Sequence, residues 1–445
     1  MTLPDTDPWT LLAPLQADGA RLMAWSSPEG VQRFVAVGAL AEVRPSGPNR
    51  FNDAREWWRS FEGTRTKTTD LRGSVVDSRA PLCLAGFAFR VDEERTHAWE
   101  AWGDAALCIP EMVIWRDEAG TEATFIVDAD SSDWREAIAD LHGQLKTWMA
   151  RAEEASIKPA DGASSTENGE AQRRWCDDVM SAQAQMAKGQ LQKVVLARST
   201  AFIPSGTQQF DPLGTATALR DRQTRSTTFL IRRRDGQAFL GSSPEILVKL
   251  KAGHVDTVAL AGTRRRGAGA EDSALGEALL ESTKDRTEHA LVAAAIVDAL
   301  DTHVSEITLP ETPDLVCHPD VQHLRTRIRG SLNSGSTIFD LVSALHPTPA
   351  VGGLPREQAM NWLNDNEALD RGWYAGPIGW ISASGEGEFV VAIRSVLMAP
   401  TTAAAFAGCG LIPDSVPEDE WEESQIKLQT VRQGLAVAPR ASADR

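Results

Sequence analysis

Residues 345–353 read Leu-His-Pro-Thr-Pro-Ala-Val-Gly-Gly, between two helical stretches at about 337–345 and 355–367. Two further marks frame this segment. Upstream is an apolar strand led by a lysine, Lys193-Val194-Val195-Leu196-Ala197-Arg198; downstream is a glutamate-bearing helix from Pro417 to about residue 433. Strands and helices around these marks arrive in clusters rather than in strict alternation, which favours an α+β fold over a doubly wound parallel sheet.

Working outward, residues 1–130 alternate short β-like runs with turn residues, at 33–40, 82–89 and 111–127, the last broken at Glu118-Ala119-Gly120. A helix at 132–155 carries Trp134, Ile138, Leu141, Leu145 and Met149 at three-to-four spacing and leads into the polar stretch 158–165, the expected linker. Beyond it the pattern predicts a helix at 171–188, the lysine strand, a helix at 211–224 and a hairpin around Asp235-Gly236, a favoured two-residue turn. A strand at 255–260 precedes one long helix, 273–303, with Ser273 or Asp272 as its N-cap. A strand at 324–332, the two helices about the opening segment, a β meander at 373–412 and the last helix complete the chain. Residues 1–160 thus read as a sheet-rich N-terminal part and 170–435 as the region carrying the site, together one structural domain.

With 445 residues and 42% apolar composition the chain can bury a substantial core. Its net charge of −17, from 62 acidic and 45 basic side chains, disfavours binding to a phosphate backbone. An anionic substrate requires local basic groups that overcome that field. Cys83, Cys108, Cys176, Cys317 and Cys409 show no paired spacing and read as reduced thiols. The N-terminus has no signal-peptide pattern and no stretch is long and apolar enough for a membrane helix, so the expectation is a cytoplasmic protein that partners neither nucleic acid nor membrane. Nothing in the pattern demands more than a monomer.

The chemistry-bearing residues are scattered. On the last helix Glu420, Glu423 and Lys427 are spaced i, i+3, i+7 and share a face, with Pro417 suited to its first turn; the long helix offers Glu281, Asp285 and Glu288 at i, i+4, i+7. These stripes are either solvated surface or a source of carboxylate oxygens for Mg²⁺. Lys193 either caps a buried strand with its amine in water or, desolvated, acts as a neutral base. Glu245, after Gly241-Ser242-Ser243-Pro244, is either a surface or capping residue or, in a closed cleft, a protonated acid. Arg394, in the apolar run Val390-Val391-Ala392-Ile393, needs an anionic ligand or an internal carboxylate as partner. Tyr374, the only tyrosine, could bond the same anion or a backbone carbonyl. The glycines of Gly408-Cys409-Gly410 permit close backbone approach or simply a tight turn. No nucleotide-binding glycine loop is present, and of the eight histidines His323 and His346 stand out by position.

In this order, KVVLAR at 193–198, GSSPE at 241–245, LAGT at 260–263, KDRTEH at 284–289, HPTPAVGG at 346–353, RGWYAGPIG at 371–379, AIRS at 392–395 and EWEESQIK at 420–427 resemble the chorismate-utilising enzymes. That superfamily contains the isochorismate, salicylate, anthranilate and aminodeoxychorismate synthases. The resemblance covers about residues 190–430 and is loose in the N-terminal part. It implies a large β-sheet sandwich flanked by helices, with a magnesium site in a cleft. By similarity Glu288 and Glu423 would hold Mg²⁺, with Glu420 and Asp285 nearby. Tyr374, Arg394 and the backbone at Gly408 and Gly410 would hold the enolpyruvyl carboxylate of chorismate, Lys427 would add positive charge near the metal, and Gly262, Thr348 and Ala350 would complete the substrate site. Lys193 resembles the base that activates water, where amine-transferring relatives carry glutamine; Ala261 excludes the nucleophilic lysine of the aminodeoxychorismate branch. Glu245 would protonate the departing C4 hydroxyl, and His323 joins these two as a catalytic candidate. Pro349-Ala350 resembles isochorismate synthases, whereas salicylate and anthranilate members tend to carry threonine at the second position. Cys409 departs from the alanine usual there. The resemblance therefore implies an isochorismate synthase of menaquinone or siderophore synthesis, the alternatives being a salicylate synthase or a non-catalytic chorismate binder.

Overall fold

The computed structural model describes residues 1–63, 82–91, 95–128, 130–152, 158–160, 163–167, 169–318 and 321–439. Among the described residues, two antiparallel sheets of twelve and ten strands dominate. The first runs Thr2–Leu3, Gly120–Phe125, Met112–Asp117, Arg33–Val37, Leu22–Ser26, Thr227–Arg232, Ala238–Ser243, Ser395–Ala399, Thr402–Leu411, Lys193–Ile203 and Gly353–Leu354, with Ser164–Ser165 beside the far end of the lysine strand. The second runs Val304–Thr308, Val321–Leu332, His254–Arg265, Ile246–Lys251, Gly387–Val391, Pro377–Ser382, Leu82–Phe87, Ala105–Ile109 and Ala41–Val43, with Asp314–Cys317 also on Val321–Leu332. Strands from before residue 130 and after residue 190 share both sheets.

The sheets pack face to face through aromatic side chains. Trp380 of the second sheet sits edge-on to Trp115 and Phe34 of the first, at ring separations of 5.2 and 6.3 Å. Phe34 and Trp25 are fully buried, and each such side chain contributes roughly 1.5–3 kcal/mol. Pro212–Arg222, Trp134–Ala150 and Pro417–Arg432 add Leu219, Leu145 and Leu428 to the apolar cluster that holds Leu230 and Leu240 of the first sheet. Thr283–Leu300 and Ile338–Leu345 cover the second, Phe339 meeting Phe389 at 6.1 Å.

Two places where the chain passes between the sheets lie side by side. Strand Ala238–Ser243 leaves the first sheet and re-enters the second as Ile246–Lys251, with Pro244-Glu245 between. Strand Gly387–Val391 makes the return through Ala392-Ile393-Arg394 into Ser395–Ala399. The two passages are laced together: Val391 N donates to Glu245 O at 3.0 Å, Ser242 N to Arg394 O at 3.2 Å and Ser243 Oγ to Val391 O at 2.6 Å. The expected meander at 373–412 is therefore divided between two sheets. Arg394 is not inside a strand but at the turning point, with a left-handed φ of 51°.

Three further expectations change. The single helix at 273–303 is two, Ala270–Glu281 and Thr283–Leu300, because Ser282 adopts an extended ψ of 109° and its Oγ accepts from Asp285 N at 3.2 Å as a new N-cap. Glu281 ends the first helix, exposed, and leaves the acidic stripe. The hairpin at Asp235-Gly236 closes on three residues, with Arg233 N bonded to Gln237 O at 2.9 Å and Gly236 at φ 86°, a turn-plus-bulge geometry that suits twisted strands. The described parts of the expected linker are tied down: Val437 N donates to Lys158 O and Ala160 N to Leu435 O, both at 2.9 Å, and Ser165 pairs with Phe202. Residues 161–162 of that stretch lie outside the described residues.

Candidate active site

At one end of the sandwich a cavity of about 220 Å³ opens beside the paired passages. Its walls gather residues that are up to 234 positions apart, from Lys193 to Lys427. Lys193 begins the strand Lys193–Ile203, and register places Val195 opposite Gly410 and Ala197 opposite Gly408 on Thr402–Leu411. The absence of a side chain at Gly410 matters here, since a Cβ would lie 2.9 Å from Lys193 Cε. Of the two alternatives for Lys193 the desolvated one holds, since its side chain is buried, and its Nζ donates to Glu288 Oε1 at 2.7 Å. A lysine takes up a proton only as a neutral amine, which can donate to Glu288 and still present its lone pair.

Glu245, 6% exposed, occupies the passage between the sheets. Burial pushes its carboxyl up to about 7, against the weaker opposing influence of the Thr348 hydrogen bond and of Lys193 and Lys427. Thr348 Oγ1 donates to Glu245 Oε1 at 3.4 Å, so Thr348 acts behind the acid and is not itself on the cavity wall. Ala350, two residues on, is on the wall. Residues 345–353 thus bond Glu245 through Thr348 and also join the strand of Lys193, because Gly353 pairs with Val194 and Gly352 O accepts from Val195 N at 2.9 Å.

Arg394 and Tyr374 line the cavity together with Gly408. The Tyr374 ring stacks on Phe406 at 5.1 Å, and burial pushes its phenol up to about 12, keeping it a donor. A Cβ on Gly408 would stand 3.2 Å from the Tyr374 hydroxyl. The Gly408 carbonyl accepts from Lys427 Nζ at 2.8 Å. His323 is held well below the ordinary histidine value by burial and then by Arg394, so it is neutral; its Nδ1 shares a hydrogen bond with Thr263 Oγ1 at 3.0 Å. Gly262 bulges the strand between Ala261 and Thr263 at φ 77°, over Asp285.

Glu420 and Glu423 of the last helix line this cavity, Glu423 keeping part of its side chain in solvent. Glu420, Glu423 and Cys409 present one potential ligand atom each within 4.8 Å of the others. Burial and then the charge of Glu423 push Glu420 up to about 7. Burial pushes Glu423 up as well, but Lys427, Arg394 and Lys193 outweigh it and hold it below the ordinary carboxylate value. Lys427 Nζ bonds Glu423 Oε1 at 2.6 Å. Glu288 faces the same cavity from the helix Thr283–Leu300, while Asp285 on that helix is engaged by Arg264 at 3.1 Å. Neighbouring carboxylates are a hard-oxygen set suited to a divalent cation, and the residues fit Mg²⁺; the Cys409 thiol is a poor partner for so hard an ion.

Sequence reasoning passed over Glu367 and Arg371. Both are about 1% exposed, with Arg371 Nε and Nη2 each 2.7 Å from a Glu367 oxygen, and Arg371 is on the cavity wall. The only signal was Arg371 at the head of the 371–379 block; charged residues four apart on a polar stretch ordinarily read as surface.

Lys193, Arg264, Lys284, Arg394 and Lys427 supply the local positive charge that the acidic chain otherwise lacks. A buried proton donor, a lysine and a carboxylate cluster in one cleft define an enzyme for small organic anions. The chain matches the chorismate binding enzyme family over residues 1–436 and belongs to it. It is 37% identical over 435 residues to the salicylate biosynthesis isochorismate synthase of Pseudomonas aeruginosa, covering 96% of this chain and 88% of that protein. Against the isochorismate synthase MenF of Bacillus subtilis it is 36% identical, covering 92% and 87%. The solved structure of the menaquinone-specific isochorismate synthase from Escherichia coli superposes with a TM-score of 0.79 at 25% identity, over 97% of this chain and 92% of that one. Anthranilate synthase component I from Streptococcus pneumoniae, at 20% identity and a TM-score of 0.72 over 90% and 92%, shares the fold.

Proposed function

We propose that this protein is an isochorismate synthase, converting chorismate to isochorismate in the presence of Mg²⁺. The observation that carries the reading is Glu245: a carboxyl that burial keeps protonated near neutral pH, in the same cleft as the buried amine of Lys193. Lys193, as the neutral amine, takes a proton from water as its oxygen bonds to C2 of the ring. The ring double bonds shift, and Glu245 gives its proton to the departing C4 hydroxyl, which leaves as water. One water enters and one leaves, so the reaction is an isomerisation. Arg394 and Tyr374 anchor the enolpyruvyl carboxylate, an arginine fork and a phenol donor being suited to two oxygens. Neutral His323 can orient substrate but carries no charge to repel or attract it.

Glu288 and Glu423 would hold Mg²⁺, with Glu420 adjacent and Asp285 behind them. When bound, the ion supplies positive charge to the ring carboxylate of the substrate. Chorismate is then a dianion met by cations at both ends.

Incubating the purified protein with chorismate and Mg²⁺, with an EDTA control, and resolving products by chromatography and mass tests this reading. Isochorismate formed only with the metal is the expected result. Salicylate with pyruvate would move the protein to the lyase branch, and substrate binding without any product would make it a non-catalytic binder.

A further inference from the structure

The strand Lys193–Ile203 is covered along one side by Thr402–Leu411. On its other side, Gly353–Leu354 reaches only Lys193 and Val194, and Ser164–Ser165 only Phe202 and Ile203. In the gap, two side chains take up backbone groups that a neighbouring strand would ordinarily pair. Arg371 Nη2 donates to Val195 O at 2.6 Å, and Glu367 Oε2 accepts from Ala197 N at 2.9 Å. Arg371 Nη1 also donates to Val351 O at 2.9 Å, beside Ala350. Its guanidinium lies 4.1 Å over the Phe89 ring.

We infer that the Glu367–Arg371 ion pair is a positioning device for the base: it replaces the missing strand and locks the Lys193 backbone to the loop bearing Thr348 and Ala350. Desolvating two charges is costly, and apolar residues of like volume would serve mere packing as well. An arginine fork locked to a carboxylate offers something apolar residues lack, a fixed set of donors and acceptors aimed at Val195, Ala197 and Val351 at once. Those three backbone positions bracket the cavity wall that carries Lys193. Neither side chain acts on substrate in this assignment; both act through Lys193, and the inference rests on its proposed role as base.

The test uses Glu367→Gln and Arg371→Lys in the full-length protein with chorismate and Mg²⁺, assayed below each variant's melting temperature, together with amide hydrogen exchange at Val195 and Ala197. The expected result is a kcat loss of roughly 10²-fold, the scale for a misplacement of about 1 Å, with KM within about threefold, because Arg394 stands on another element and the bond from Tyr374 N to Arg371 O, at 2.9 Å, is backbone to backbone and survives both side-chain changes. Arg371→Lys keeps the charge without the fork, so a loss in this variant too shows that charge alone does not suffice. Glu167→Gln serves as control, since it breaks another ion pair on the same strand, Arg198–Glu167, away from the cavity wall; its kcat should stay within about twofold. Parental kcat in either cavity variant, or an equal loss in Glu167→Gln, overturns the inference. Should Glu367→Gln fail to fold, Arg371→Lys carries the kinetic test. Should the parent not turn over chorismate, the proposed function fails separately, and exchange decides the pinning: faster exchange at Ala197 in the variants supports it, unchanged exchange refutes it.

Discussion

Glu245 and Lys193 show how little a residue's identity says without its surroundings. A glutamate after a compact turn is ordinarily wet; this one is buried where two chain passages meet, and its proton stays on to about pH 7. Its folded value lies above its unfolded one, so the folded state holds the proton longer, and stability contributed by the protonated form is lost as pH rises from about 4.5 through 7. In the parent, kcat/KM should therefore fall above about pH 7 as the acid ionises, and Glu245→Gln should lower turnover by roughly 10²–10⁴-fold while removing that limb. A pH–rate profile of both proteins checks this; an unchanged limb in the variant would assign it to another group. At Gly410 a side chain would displace the lysine tip rather than backbone, so Gly410→Ala should fold with a nearly unchanged melting temperature yet lose at least about tenfold in kcat. Calorimetry alongside kinetics separates the two effects.

At the scale of elements, local signals located the helices and strands well and mistook their continuity. The residues at 273–303 are helical in pattern throughout, but Ser282 turns outward to cap Asp285, and this break sets the direction in which Thr283–Leu300 presents Glu288 to the cavity. Ser282→Ala should cost about 1 kcal/mol, the usual worth of an N-cap, measurable as a lower urea midpoint at unchanged slope. Likewise the run 390–395 is apolar enough for one strand, and only the second sheet's position forces it to turn at Arg394. The passage carrying Glu245 and the one carrying Arg394 are bonded to each other, so the proposed acid and the proposed anion anchor are set by one piece of backbone architecture.

Across the whole molecule, strands from the first 130 residues lie inside both sheets: Leu22–Ser26 pairs with Thr227–Arg232, and Leu82–Phe87 with Pro377–Ser382. Removing them would bare two long apolar edges. A fragment of residues 170–439 should accordingly lack a cooperative melting transition and aggregate, whereas the full chain melts cooperatively; circular dichroism with light scattering checks both. Mg²⁺ should raise the melting temperature of the full chain in a concentration-dependent way, and Glu423→Gln should weaken that shift, which a thermal titration reads directly. By itself the sequence determined the α+β class, most element positions, the enzyme family and about half of the cavity-lining residues, because spacing and residue type register local periodicity and a family's motif blocks. What only the tertiary structure decided was the partnering: Lys193 with Glu288, Thr348 behind Glu245, and Glu367 with Arg371 filling a strand's place. Those choices depend on which distant groups burial brings within about 3 Å of one another, and distance across a folded sandwich leaves no period in the chain.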